Sequence, residues 1–111
     1  MLLPNFEFAV ISDEKLRDYS LNPNHPFGKH KAKVFEKRLG IVQKDWEHLK
    51  TLILDNIAVC ECIESITLEF GRSFIVDIIL FNFEKQAKVR TSWIIKNGEL
   101  MPRLTSCYVI N

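Results

Sequence analysis

Nothing in the 111 residues approaches the ~18 consecutive apolar residues of a membrane-spanning helix, so no span is expected. The opening Met1-Leu2-Leu3-Pro4 lacks the basic segment and apolar stretch of a secretory leader, and the expected location is the cytoplasm. Cysteine is scarce and odd in number. Cys60-Glu61-Cys62 is too tight for the CxxC spacing of zinc and redox pairs, and together with Cys107 it predicts free thiols in a reducing compartment. His30 and His48 have no acidic or cysteine partner at ligand spacing, so neither a metal site nor another cofactor is expected. A Walker-type phosphate loop, a GxGxxG turn and a GxSxG nucleophile elbow are all missing, which removes the common motifs of nucleotide-binding and serine-hydrolase chemistry.

Net charge is also nearly absent. At +1 the chain is no uniformly basic nucleic-acid binder, yet its charges are grouped. Residues 25 to 50 sum to +4, residues 51 to 84 to −5, and residues 85 to 111 to +4. If the two basic blocks meet in space they form one positive face, suited to a phosphate backbone or an acidic partner, with an acidic hairpin elsewhere. Equally, the lysines do no more than solvate a helix face.

What is present suffices for one core. With 47% hydrophobic and 26% charged residues, the chain suits a single domain spanning 1–111 and is too short for two. Asn5 to Ile11 alternates weakly, as an edge strand or an extended arm would. Ser12 or Asp13 can cap a short helix over Glu14 to Ser20 that buries Leu16 and Tyr19. Ala32, Phe35 and Leu39 space a helix over Lys29 to Leu39, which Gly40 stops; Trp46, Leu49, Ile53 and Ile57 space a second over Lys44 to Ile57. From Val59 the period falls to two. A strand through Ile66, Leu68 and Phe70, a turn at Gly71-Arg72, a strand over Ser73 to Phe81, a loop over Asn82 to Gln86, a strand over Ala87 to Ile95, an Asn97-Gly98 turn and a strand over Arg103 to Ile110 follow. The expected fold class is α+β, with N-terminal helices packed on a four-stranded antiparallel sheet. Its core is expected to contain Ala32, Phe35, Leu39, Trp46, Leu49, Ile53, Leu68, Val76, Ile78, Val89 and Trp93. Phe74 to Phe81 is apolar on both faces, which predicts a homodimer or an obligate partner over one of them.

The segment most loaded with chemistry is Leu21-Asn22-Pro23-Asn24-His25-Pro26-Phe27-Gly28-Lys29-His30-Lys31-Ala32. Two prolines fix φ around Asn24-His25 and push Asn22 and His25 toward extended backbone, while Gly28 lets the chain turn into a basic helix. A histidine on a stiff loop at a helix start can serve as general acid or base beside an anion, or it can simply hydrogen-bond the loop to the domain.

This segment, with Phe35, Leu39-Gly40, Trp46, Val89-Arg90-Thr91-Ser92-Trp93 and Pro102-Arg103-Leu104-Thr105, resembles a small bacterial family of domains of unknown function with an LNPxHPxGKxKAxxF signature. The resemblance runs over about residues 13 to 108. It implies a topology similar to the toxin ribonucleases of the barnase, EndoU, colicin and RelE type, and a toxin-like setting. The chain departs from that family at Ser106-Cys107-Tyr108-Val109, where a tyrosine-proline close is common.

Metal-free RNA cleavage needs a base for the 2′-OH, cations for the pentacoordinate phosphate and an acid for the leaving oxygen. The candidate catalytic set is His25, Lys29, Arg90 and Thr105, with Lys31, Ser92 and Arg103 as substrate-binding residues. Two functions stay open at this stage: a metal-independent ribonuclease acting on RNA and opposed by a cognate antitoxin or immunity protein, or a non-catalytic immunity- or antitoxin-like module docking through its acidic hairpin.

Overall fold

Apolar residues at intervals of three and four build α1 (Lys29–Leu39) and α2 (Trp46–Ile57), burying Ala32, Phe35 and Leu39 from one and Leu49, Ile53 and Ile57 from the other. Gly40 ends α1 at φ +68°, where its own N–H and that of Ile41 return to the carbonyls of Glu36 and Phe35 at 2.9 and 3.3 Å. The second helix starts later than its periodicity predicts. Gln43–Asp45 winds as a 3-10 turn in which the Asp45 carboxylate accepts the Val42 N–H at 3.0 Å. Trp46, expected in the core, lies half-buried at the first position of α2 with the Arg17 guanidinium 5.6 Å from its ring.

Four strands follow in the computed structural model, which describes residues 1–110: β1 (Cys62–Leu68), β2 (Gly71–Asn82), β3 (Lys85–Lys96) and β4 (Arg103–Ile110). They lie in sequence order as an antiparallel sheet, so the fold is α+β with the helices on one sheet face. β2 and β3 pair without interruption from Gly71 opposite Lys96 to Asn82 opposite Lys85. Their hairpin therefore closes in two residues, Phe83 and Glu84, with Phe83 at φ +56°, instead of the expected loop over Asn82 to Gln86. The preceding turn is Glu69-Phe70; Gly71-Arg72 already belongs to β2.

One sheet face is sealed and the other is open. Phe74, Val76, Ile78 and Leu80 of β2 are all buried against the helices with Val89 and Trp93, while Ile75, Asp77, Ile79 and Phe81 point away, Ile79 and Phe81 being exposed. Among the described residues the sealed side takes in two polar side chains from β2 and β3: Asn82, whose Nδ2 donates to the Leu39 carbonyl at 2.7 Å, and Thr91, whose hydroxyl donates to the Val76 carbonyl at 2.7 Å and accepts the Trp93 indole N–H at 2.8 Å. β1 contributes little: of its residues only Cys62 is buried, and Leu68, expected in the core, is half-exposed.

β4 departs from simple alternation. Ser106 opposes Ser92 and Leu104 opposes Trp93, which leaves Thr105 as an extra residue. Leu104 and Cys107 thus share the sealed side, and the simple alternation that a strand over Arg103 to Ile110 implies, with Arg103, Thr105, Cys107 and Val109 on one side, is broken at the bulge. The outer edge of β4 is covered. After a 3-10 turn at Phe6–Phe8, Val10 bridges it, donating to Pro102 at 2.8 Å and accepting from Leu104 at 2.9 Å. The Ser20 hydroxyl donates to the Cys107 carbonyl at 3.1 Å. Among the described residues, no helix is long and apolar enough to cross a membrane.

Phe35→Ala should cost about 3–5 kcal/mol in urea unfolding because the ring is wholly buried, and Trp46→Ala distinctly less. Thiol titration offers an independent check. Burial raises the Cys62 thiol and pushes Cys107 up to about 12, so native protein should react at Cys60 and expose all three thiols only on unfolding.

Candidate functional site

The loop that joins the N-terminal arm to α1 is built almost entirely from its own hydrogen bonds. Glu14–Ser20 winds as a π-helical turn, the Leu21 N–H reaching back to the Leu16 carbonyl at 2.9 Å. The wider winding buries Leu16 and Ser20 and leaves Tyr19, expected to be buried, only half-buried. Asn22 then accepts the Asn24 N–H through Oδ1 at 2.9 Å and donates through Nδ2 to the Asp18 carbonyl at 3.3 Å.

His25 Nδ1 accepts two backbone N–H groups, those of Phe27 and Gly28, each at 3.0 Å. Its carbonyl accepts the Lys29 N–H at 3.1 Å. The imidazole therefore does what an asparagine or serine does at a helix start. Accepting at Nδ1 puts the hydrogen of the neutral ring on Nε2. Gly28 has ordinary helical angles, φ −77° and ψ −18°, so the turn does not need glycine for its freedom as the sequence suggests. Space is the reason: a Cβ there would stand 2.1 Å from the Tyr19 carbonyl oxygen.

That close approach assembles a cleft of about 590 Å³ at the β4 edge. His25, Lys31 and Thr105 line it together, joined by Glu14, Lys15, Asp18, Tyr19 and Ser106. The Tyr19 ring stands edge-on to His25 with centroids 4.6 Å apart. The Lys31 ammonium lies 4.7 Å from the Tyr19 ring and 5.4 Å from that of Tyr108. Asp18 is held by Arg17 in a bidentate pair at 2.9 and 3.0 Å, which draws its carboxyl below the usual range.

The remaining expected site residues lie elsewhere. Arg90 and Ser92 share the open sheet face, but the Arg90 guanidinium is held by Asp77, both bonds at 2.9 Å. Hydrogen bonding to Asp77 raises the guanidinium, Tyr108 adding to it, and holds the Asp77 carboxyl low. Arg103 is paired with Glu99 at 2.8 Å, and Lys29 lines a neighbouring hollow. Sequence reasoning missed Glu14, Tyr19 and Ser106. Glu14 reads as a dipole-balancing first-turn residue and Tyr19 as core; only the aromatic placed six residues before His25 hinted at a second wall.

Compared with known families, residues 2–111 match the model of a family described as Domain of unknown function (DUF6883). No curated protein and no solved structure matches the chain.

The two nitrogens of His25 can be separated experimentally. His25→Ala removes the cap and should cost about 0.5–2 kcal/mol in urea unfolding. His25→Asn puts Oδ1 on the same γ-carbon branch as Nδ1, so it should restore most of that loss while lacking any group at the Nε2 position.

Proposed function

The chain belongs to this family of domains of unknown function, and we propose that it is a toxin-like, metal-independent endoribonuclease whose site is the cleft at the β4 edge. The observation that carries the reading is the meeting of a carboxylate, an imidazole, an ammonium and two hydroxyls in that cleft: Glu14, His25, Lys31, Thr105 and Ser106. The LNPxHPxGKxKAxxF segment, which resembles a bacterial family of toxin-like setting, supplies His25 and Lys31 and supports the same reading.

The chemistry follows from which groups are already engaged. Asp18 is committed to Arg17, so Glu14 is the carboxylate placed to take the 2′-OH proton as the 2′-oxygen attacks phosphorus. Because Nδ1 is occupied, His25 presents Nε2–H and acts as a donor to a phosphate oxygen; of the two roles that the sequence leaves open, acid or base, this reading does not use it as the base. Thr105 and Ser106 offer hydroxyl donors from the bulge. The Lys31 ammonium faces the charge that builds on the phosphorane and gives a proton to the leaving 5′-oxygen, closing a 2′,3′-cyclic phosphate. Arg90 stays outside this set; its pair with Asp77 shapes the Tyr108 wall behind Lys31.

A second reading is favoured by one observation. The cleft holds Lys15 and Lys31 against Glu14 and Asp18, a balance that suits a neutral contact better than a polyanion. In this reading the domain is a non-catalytic module of immunity or antitoxin type. Its acidic hairpin is a weak docking surface, since Glu61 pairs with the Met1 amino group, Glu64 with Arg72 and Asp77 with Arg90. The open apolar side of β2, with Ile79 and Phe81, supports association of two copies under either reading.

Purified protein should cleave single-stranded RNA in EDTA and leave cyclic phosphate ends. Glu14→Gln should slow it by roughly 10²–10⁴-fold. Lys31→Arg keeps the charge but cannot release a proton at neutral pH, so it should lose activity nearly as far as Lys31→Met. Intact RNA after prolonged incubation with folded wild type would turn the assignment to the binding module.

A further inference from the structure

A second hollow, of about 560 Å³, opens on the far side of the first turns of α1, between that helix, the loop at Leu21 and Pro23, and the connector to α2. Its floor is aliphatic: Leu21 and Ala32 are buried there and Val42 is half-buried. Its rim is cationic. Lys29, Lys33 and Lys44 are exposed around it, against the single acid Glu36.

These lysines differ from four of the five arginines of the chain. Arg17, Arg72, Arg90 and Arg103 each hold a carboxylate, whereas none of the three lysines forms an ion pair among the described residues. Their shared field, opposed at the rim by Glu36 alone, leaves an excess of positive charge around the hollow. The walls are also preset. Asp45 ties down the Val42 N–H, Gln43 Nε2 donates to the Arg17 carbonyl at 2.8 Å, and Gly40 locks the end of α1, so little ordering is left for binding to impose.

Charge complementarity requires an anionic occupant, and the floor selects among anions. A nucleotide base is held by stacking on an aromatic or guanidinium plane, and the hollow offers no such plane beyond the exposed His30 ring at its rim. Three aliphatic side chains suit a branched aliphatic group instead. We propose that this hollow docks an acidic peptide segment of a partner protein, with one aliphatic side chain seated on Leu21, Ala32 and Val42 and flanking carboxylates on Lys33, Lys44 and Lys29. Since the hollow and the cleft flank the same end of α1, such a partner is positioned beside the cleft. The inference stands on the hollow alone and does not depend on RNA cleavage.

The test uses the full chain and three fluorescein-labelled probes: a glutamate-rich peptide with one central leucine, the same peptide with serine in its place, and an oligouridylate. Fluorescence anisotropy should show the leucine peptide binding, more weakly as salt rises, and the serine peptide binding at least about tenfold more weakly. Lys33→Glu and Lys44→Glu, both exposed positions, should each weaken the leucine peptide by about tenfold without lowering the melting temperature. Glu14→Gln should leave peptide binding unchanged, which keeps this outcome separate from that of the ribonuclease assay. Equal binding of the two peptides, no binding of either, or displacement of the leucine peptide by oligouridylate with the same lysine dependence would each overturn the proposal.

Discussion

The contact between Gly28 and the Tyr19 carbonyl is the constraint on which the N-terminal half of the molecule depends. A side chain at residue 28 would begin 2.1 Å from that oxygen, so only glycine lets the π-helical turn lie against the start of α1. With the two elements in place, Nδ1 of His25 reaches the N–H groups of Phe27 and Gly28, and the Tyr19 ring is carried between His25 and Lys31. From there the contacts run on through Tyr108 to the Arg90–Asp77 pair. A backbone clearance thus positions rings and charges from the proline loop to the open side of the sheet.

Charge shows why linear patterning misleads. The acidic middle block and the basic last block look like opposed surfaces in sequence, yet antiparallel pairing sets Asp77 opposite Arg90 and joins Glu64 to Arg72 within one hairpin. Such half-exposed pairs add little stability one by one. Their effect is to cancel charge locally, since Lys85, Lys88 and Lys96 of β3 form no ion pair among the described residues. An excess of positive charge also lies on the outer side of α1, where Lys29 and Lys33 are one turn apart and Lys44 closes the ring from the connector, against Glu36.

The fold was legible where a single physical rule governs a stretch. Three- and four-residue apolar spacing with a glycine stop predicts Lys29–Leu39, and β4 is predicted over Arg103–Ile110, as both are found. It was less legible where two rules compete. Glu14 to Ser20 obeys a helical pattern, but its wider π winding trades Tyr19 for Ser20 in the interior, and the Ser20 hydroxyl finds the Cys107 carbonyl only because β4 lies there. Gln43–Asp45 is diverted into a 3-10 turn by the Asp45 carboxylate. The Thr105 bulge is invisible to period-two reading, because it is fixed by pairing with β3.

The candidate site divides along the same line. His25, Lys31 and Thr105 could be picked out from residue type and neighbourhood, since a proline-bracketed histidine before a basic helix and a threonine in a terminal strand carry recognisable chemistry. Glu14, Tyr19 and Ser106 join them, and Arg90 leaves, for reasons that need the third dimension. Residue type and local spacing by themselves determined the helices, the meander and the list of reactive groups, because propensity and periodicity act within a few bonds. Which of those groups share a cleft, which nitrogen of His25 remains available and which cations stay unpaired were decided only by the tertiary structure, because hydrogen bonds and ion pairs are chosen by proximity across elements that the chain separates by dozens of residues.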